Sequence, residues 1–191
     1  MSRPNAPVET EALSGAALQR ALVRISHEIV ERHGDELPPV LIGMRTRGVP
    51  LAQRIARTLA ELSTHMPPVG AIDISLHRDD LPLRSATAPL QASDLPAAID
   101  DRIVVLVDDV LFTGRSIRAA LDALIDYGRP AAIELAVLID RGHRELPIRP
   151  DYVGKNLPTH RDDEVLVLLE ETDGRDQVLL RSRIPAASGQ R

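Results

Sequence analysis

Cysteine is missing from the chain altogether, and so is tryptophan. No disulfide can brace the fold and no thiolate can serve as nucleophile or metal ligand, which suits a reducing, cytoplasmic setting. Aromatic residues come to Phe112, Tyr127 and Tyr152 only. That is too few for the stacking platforms with which general single-strand binders hold bases. Lysine occurs once, at Lys155, so the basic residues are almost all arginine. No apolar run approaches a membrane span, and residues 1–10 carry no signal-peptide core, so no membrane partner is expected. Gly-x-x-x-x-Gly-Lys and Gly-x-Gly-x-x-Gly are both absent, which removes support for Walker-loop and dinucleotide-binding readings. There is no Gly-x-Ser-x-Gly elbow either. His27-Glu28-Ile29-Val30-Glu31 opens like a zinc-protease helix, but Glu31 stands where the second histidine is required.

What remains is a chain of 191 residues, 43% hydrophobic and 27% charged, with net charge −5. It is long enough for one domain with a proper core. The charge disfavours indiscriminate nucleic-acid binding while leaving room for a local basic patch. Residues 1–10 read as a disordered N-terminal tail and 184–191 as a C-terminal tail, flanking a single domain over 11–183. Apolar spacing at Leu18, Leu22, Ile25 and Ile29 predicts a helix over 14–32, stopped by Gly34. A short buried strand over 40–43 runs into a polar turn and a helix over 50–63. Alternation predicts a strand over 69–77. Residues 78–101, with Pro82, Pro89 and Pro96 and little core pattern, read as a flexible functional loop. Strands follow near 103, over 133–139 and over 165–169, with an edge strand over 178–181. Strands alternating with helices imply an α/β fold, a central parallel sheet flanked by helices. Binding groups should gather at the strands' carboxyl ends.

The segment Asp108-Asp109-Val110-Leu111-Phe112-Thr113-Gly114-Arg115-Ser116 follows four apolar strand residues and precedes an amphipathic helix. Its carboxylates can accept hydrogen bonds from two neighbouring sugar hydroxyls. The turn after them can surround a phosphate with backbone N–H groups and hydroxyls at a helix N-terminus. A ribose 5-phosphate fits both halves. The segment resembles the phosphoribosyl-pyrophosphate (PRPP) loop of type I phosphoribosyltransferases. That resemblance implies their fold, with a small hood made from a mobile loop and the end regions of the chain. It also implies that Arg45, Thr46, Arg47 and Gly48 contact the leaving pyrophosphate. Arg78 is placed to clamp pyrophosphate as a catalytic residue beside Asp108 and Asp109. Magnesium would enter with PRPP, with Asp108 and Asp109 as its nearest protein groups. Related purine enzymes carry an acid at the loop's fifth position, where Phe112 stands here, so a pyrimidine such as uracil is the expected base.

Residues 140–156, with Asp140-Arg141-Gly142-His143-Arg144-Glu145-Leu146-Pro147, resemble the pyrimidine-operon regulator family, PyrR. Arg24-Ile25-Ser26-His27-Glu28 extends the resemblance to the first helix. Members of that family are RNA-binding attenuation proteins that are also uracil phosphoribosyltransferases. The resemblance implies conversion of uracil and PRPP to UMP and diphosphate, response to UMP or UTP, and binding of the pyrimidine-operon mRNA leader. It implies a homodimer or higher homo-oligomer as well, with Arg141 near the nucleotide and Val165 near the base. Arg20, Arg24 and His27 share one helical face away from the apolar stripe. With Arg144, Arg149 and Lys155 they make a candidate RNA surface. The alternative is a uracil salvage enzyme without RNA-binding function.

Overall fold

Apolar runs too hydrophobic for a surface must be covered on both faces, and that requirement organises the molecule. The computed structural model describes residues 8–34, 37–63, 65–74, 94–96 and 99–182. In chain order the elements are β1 (Val8–Ser14), α1 (Gly15–His33), β2 (Val40–Met44), α2 (Gly48–Leu62), β3 (Val69–Ile72) and β4 (Ile103–Leu111). They continue with α3 (Arg115–Tyr127), β5 (Ala132–Asp140), β6 (Tyr152–Asn156), β7 (Glu164–Leu168), α4 (Glu170–Asp173) and β8 (Gln177–Ser182). A five-stranded parallel sheet has the order β3-β2-β4-β5-β6. Because strand side chains alternate, Leu41, Val105, Val107 and Leu138 join α1 and α2 on one face. Val40, Ile42, Leu106 and Val137 join α3 on the other. Among the described residues no helix is long and apolar enough to cross a membrane.

The ends of α1 are set by local chemistry. Ser14 caps its first turn by accepting from the Ala17 N–H at 3.4 Å, and Gly34, at φ 70°, closes it. Its last residue is fastened to the sheet. Nε2 of His33 lies 2.8 Å from a carboxylate oxygen of buried Glu134, which also accepts from the Tyr152 hydroxyl at 2.6 Å. The hydroxyl is raised above its usual pKa, first by burial and then by that carboxylate.

A second sheet, antiparallel with order β1-β8-β7, forms the hood. Leu13, Val167 and Val178 on its underside, with Leu169 just past β7, join the core beneath α1 and α2. Several expectations change here. Val8, Glu9 and Thr10 pair with Ser182, Arg181 and Leu180, so the expected N-terminal tail gives way to strand from Val8. The strand expected over 178–181 is the middle one of the hood and not an edge. β6 has no counterpart in the sequence pattern, because Gly154 and Lys155 interrupt its apolar run. α2 begins at Gly48, which places Pro50 in its first turn. Of the expected 78–101 loop, Asp94 bridges to Ala71 and Ile99 is buried in the core. Its residues 78–93 and 97–98, Arg78 among them, lie outside the described residues, as do 1–7, 75–77 and 183–191.

Candidate functional site

β4 runs two residues past its acidic pair, so Asp108 and Asp109 sit within the last turns of strand and not beyond it. Asp108 Oδ1 accepts from the Asp109 N–H at 2.9 Å, and Asp109 Oδ1 accepts from the Val110 N–H at 2.8 Å. Burial pushes the Asp109 carboxyl above its usual range, opposed by the Val110 N–H and by Arg47. A partly desolvated carboxylate of this kind gains most from a ligand that brings hydroxyl donors or a cation.

After Leu111 the chain turns through Phe112, Thr113 and Gly114 into α3. Gly114 takes φ 92°, a conformation that favours glycine, and as the N-cap residue it offers the helix no capping side chain. The start of a helix presents N–H groups that suit an anion, and here the Arg115 N–H lies 3.4 Å from the Thr113 hydroxyl. Asp108, Val110, Thr113, Gly114, Arg115 and Ser116 line a cavity of about 350 Å³. Glu145 and Arg161 also line it. Neither stands out in the sequence, where an ordinary charged loop gives no signal. Glu145 accepts from Arg115 and from Arg161, and Arg115 holds its carboxyl below the usual range.

The loop is held from behind by a residue expected on the RNA surface. Arg144 donates to the carbonyls of Phe112 at 2.9 Å and Ile148 at 3.1 Å, and to Asp140 Oδ2 at 2.5 Å. The Glu145 and Leu146 N–H groups add bonds to Thr113 O. The Arg144 guanidinium is thus occupied in shaping the loop, because a turn that shows its N–H groups to a ligand needs its carbonyls satisfied elsewhere.

The 45–48 turn joins β2 to α2 and contains a cis peptide between Arg45 and Thr46. It sits directly against β4, where a Cβ on Gly48 would lie 2.3 Å from Val107 O; β2 and α2 approach each other as closely, since a Cβ on Gly43 would lie 2.4 Å from the Val49 Cα. The turn therefore packs against the residue that immediately precedes the acidic pair. The hood reaches the same turn. Arg47 Nη2 contacts Asp173 at 3.0 Å, and Arg54 makes paired bonds to Glu171 and Asp176 at 2.6–2.9 Å.

The Thr172 hydroxyl and the Leu169 N–H, with Arg47 behind them, hold the Asp173 carboxyl down at about 2, and Arg54 lowers Glu171 and Asp176. Depressed carboxylates contribute stability that is complete above their unfolded pKa and lost as pH falls toward the folded one. The melting temperature is expected to be flat from pH 8 to 5 and to fall below about pH 4.5. Arg54→Ala should weaken that acid dependence. Scanning fluorimetry across pH checks both, and a melting temperature unchanged down to pH 3 would refute the hood's role in it.

On the far side of the loop, Arg141 is buried, and its guanidinium lies 4.1 Å over the Phe112 ring. It donates to the Thr159 hydroxyl at 3.1 Å and to His160 O at 2.8 Å, and burial lowers its pKa. His143 meets the same ring edge-on at 5.9 Å and donates from Nε2 to Thr159 O at 2.7 Å. Arg141 and His143, with residues 156–159, line a second cavity of about 370 Å³. Val165 lies on β7, half-buried against the core under α1 and α2, and lines neither cavity.

Arg20, Arg24 and His27 are exposed on α1, and Arg149 is exposed on the late loop. Arg24 also has a structural task. It donates to Val153 O at 2.8 Å and Gly154 O at 2.7 Å, fastening α1 to β6, and pairs with Glu28. Lys155 donates to Ala12 O at 2.8 Å, joining β6 to the hood.

Residues 10–169 match the phosphoribosyl transferase domain family. A hypoxanthine phosphoribosyltransferase of Trypanosoma cruzi shares the fold with a TM-score of 0.70, over 95% of this chain and 95% of that one, at 18% identity. One from Staphylococcus aureus gives 0.65 over 89% and 90%, also at 18%. Fold and site together define a type I phosphoribosyltransferase. Two relatives, both called bifunctional protein PyrR, narrow this further. That of Chloroflexus aurantiacus is 58% identical over 90% of this chain and 94% of its own. That of Streptomyces coelicolor is 57% identical over 93% and 91%. The chain belongs to the PyrR family.

Proposed function

We propose that this chain regulates pyrimidine biosynthetic genes by binding the leader of their mRNA in response to uridine nucleotide, and makes UMP and diphosphate from uracil and PRPP. The observation that carries the catalytic half is the contact of Gly48 with Val107 O, which sets the basic turn beside the acidic pair and the phosphate loop. Asp108 and Asp109 hold the ribose hydroxyls, the backbone and hydroxyls of residues 111–116 hold the 5-phosphate, and the 45–48 turn with Arg47 holds the pyrophosphate. Arg78 is proposed to close over it.

The reaction displaces pyrophosphate from the anomeric carbon by a ring nitrogen of uracil. The chain's contribution is alignment of the two reactants and stabilisation of the charge that develops on the departing group. Phe112 provides no proton at the loop's fifth position, and its ring is already engaged by Arg141. Magnesium fits the oxygen donors of Asp108 and Asp109. Two carboxylates are too few to complete its coordination, so the diphosphate oxygens would supply the rest. When bound, the ion would supply charge neutralisation of the diphosphate. Arg141 and Val165 are proposed near the nucleotide and its base.

The RNA surface is proposed on α1, centred on Arg20, Arg24 and His27 and continued by Arg149 and Lys155, in a cytoplasmic homodimer or larger homo-oligomer. Arg20→Ala combined with His27→Ala is expected to weaken leader-RNA binding at least about tenfold with transferase activity unchanged. The slope of log affinity against log salt should shrink by about one for each phosphate that the variant no longer engages. Filter binding to the chain's own pyrimidine-operon leader, with and without UMP, tests the reading. UMP-strengthened binding supports regulation. Normal UMP synthesis without specific RNA binding would leave a uracil salvage enzyme.

A further inference from the structure

Arg47 is assigned above to pyrophosphate, yet in this structure its guanidinium is held by a carboxylate of the hood. Nη2 donates to both oxygens of Asp173, at 3.0 and 3.3 Å. Asp173 is presented to it by the surrounding backbone. Its Oδ2 accepts from the Leu169 N–H at 3.0 Å and from the Thr172 hydroxyl at 2.6 Å. α4 is anchored separately, through Arg54 to Glu171 and Asp176 and through the Glu170 N–H to Asp176 at 2.9 Å. The carboxylate would therefore stay in place when Arg47 lets go of it.

The pair is also incomplete. Nε of Arg47 is buried without a hydrogen-bond partner among the described residues. Asp173 engages one nitrogen of the guanidinium fork, although the fork suits an oxyanion that binds two nitrogens at once. The side chains are 35% and 21% exposed, so an incoming anion can reach the pair from solvent. Asp173 thus occupies Arg47 without satisfying it, which is the behaviour of a replaceable counter-ion.

We propose that Asp173 is a built-in competitor for Arg47, displaced by the diphosphate of PRPP on binding and recapturing Arg47 as pyrophosphate leaves. It sets the affinity of the site for ligands that carry a diphosphate. The proposal rests on the assignment of the 45–48 turn to pyrophosphate. Its consequence is selective. Asp173→Asn keeps the shape and removes the charge, so PRPP and pyrophosphate should both bind more tightly, by about fivefold, the upper range for a partly exposed ion pair. UMP has no diphosphate and should bind unchanged. A residue that only supports the fold would alter all three ligands or none.

Calorimetric titration of PRPP, pyrophosphate and UMP into the full chain and its Asp173→Asn variant, each with magnesium, makes the test. The expected result is a parallel gain for PRPP and pyrophosphate, no change for UMP, and disappearance of the gain in an Arg47→Ala background. Stronger product inhibition by pyrophosphate should accompany it. Equal affinities in the two proteins, or weaker pyrophosphate binding in the variant, would overturn the proposal while leaving the pyrophosphate assignment standing. Failure of the unmodified chain to bind PRPP or pyrophosphate would overturn both. If the Asn variant melts early, Thr172→Val removes only the hydroxyl that orients Asp173, and the same selective gain is expected.

Discussion

Replacement of both Asp108 and Asp109 by Asn is expected to lower kcat/KM for PRPP by about a thousandfold while leaving the fold intact. The reasoning starts from what each carboxylate does in the unliganded chain. Asp109 is half-buried near the end of β4 with its carboxyl pushed upward by desolvation, and it accepts a backbone bond from the Val110 N–H. An amide oxygen can accept that bond as well, so the strand loses little. What the amide cannot do is accept charge-assisted bonds from a ribose diol. Two such bonds are worth about 1.5–3 kcal/mol each. Taken together at about 4 kcal/mol, and at 1.4 kcal/mol per factor of ten, they give the expected thousandfold. Steady-state UMP formation measures it, and melting temperature controls for folding. Retention of activity within about tenfold would move the diol to other groups. UMP affinity should fall alongside, since the product keeps the same two hydroxyls.

Gly48→Ala is expected to cost stability and substrate binding at once. A Cβ at this position meets Val107 O at 2.3 Å and Val107 C at 3.2 Å, both backbone atoms of the central strand. No side-chain rotation relieves that overlap. Either β4 shifts within the sheet or the start of α2 withdraws, and the second carries Arg45, Thr46 and Arg47 away from Asp108. Overpacking of this kind costs about 1–3 kcal/mol, measurable in urea unfolding. Pyrophosphate binding should drop by more than UMP binding, because the withdrawn turn is the one proposed to hold the diphosphate. A variant as stable as the parent, with unchanged pyrophosphate affinity, would show that the close approach of the two elements carries no function.

The parts of the site that the sequence made legible are those built by neighbours along the chain. The apolar run, the acidic pair and Thr-Gly-Arg-Ser lie in one stretch, and they fold as one strand, loop and helix. The same holds for the turn between β2 and α2. What escaped reading depends on distant partners. β1 looks like a tail because its outward residues are charged and its pairing partners lie near residue 180. Arg144 reads as one more exposed arginine until the carbonyls it serves, at positions 111, 112 and 148, are brought to it by the fold. Arg24 and Lys155 lie among the candidate RNA contacts by spacing, yet both spend donors on backbone oxygens. A side chain's periodicity tells which way it points, but not what waits there.

The pairing of β1 with β8 also orders events during synthesis. Ser14 caps α1 from the end of a strand whose partner is more than 160 residues downstream, at Gln177–Ser182. Closing so long a loop is slow compared with forming the local strand–helix units of the sheet. A nascent chain can therefore assemble β2 through β5 with the phosphate loop between them while the hood is still unmade. Arg47 and Arg54 gain their carboxylate partners only when the hood closes over α2. On the ribosome, the acidic pair and phosphate loop come first, and the counter-ion that restrains the basic turn comes last.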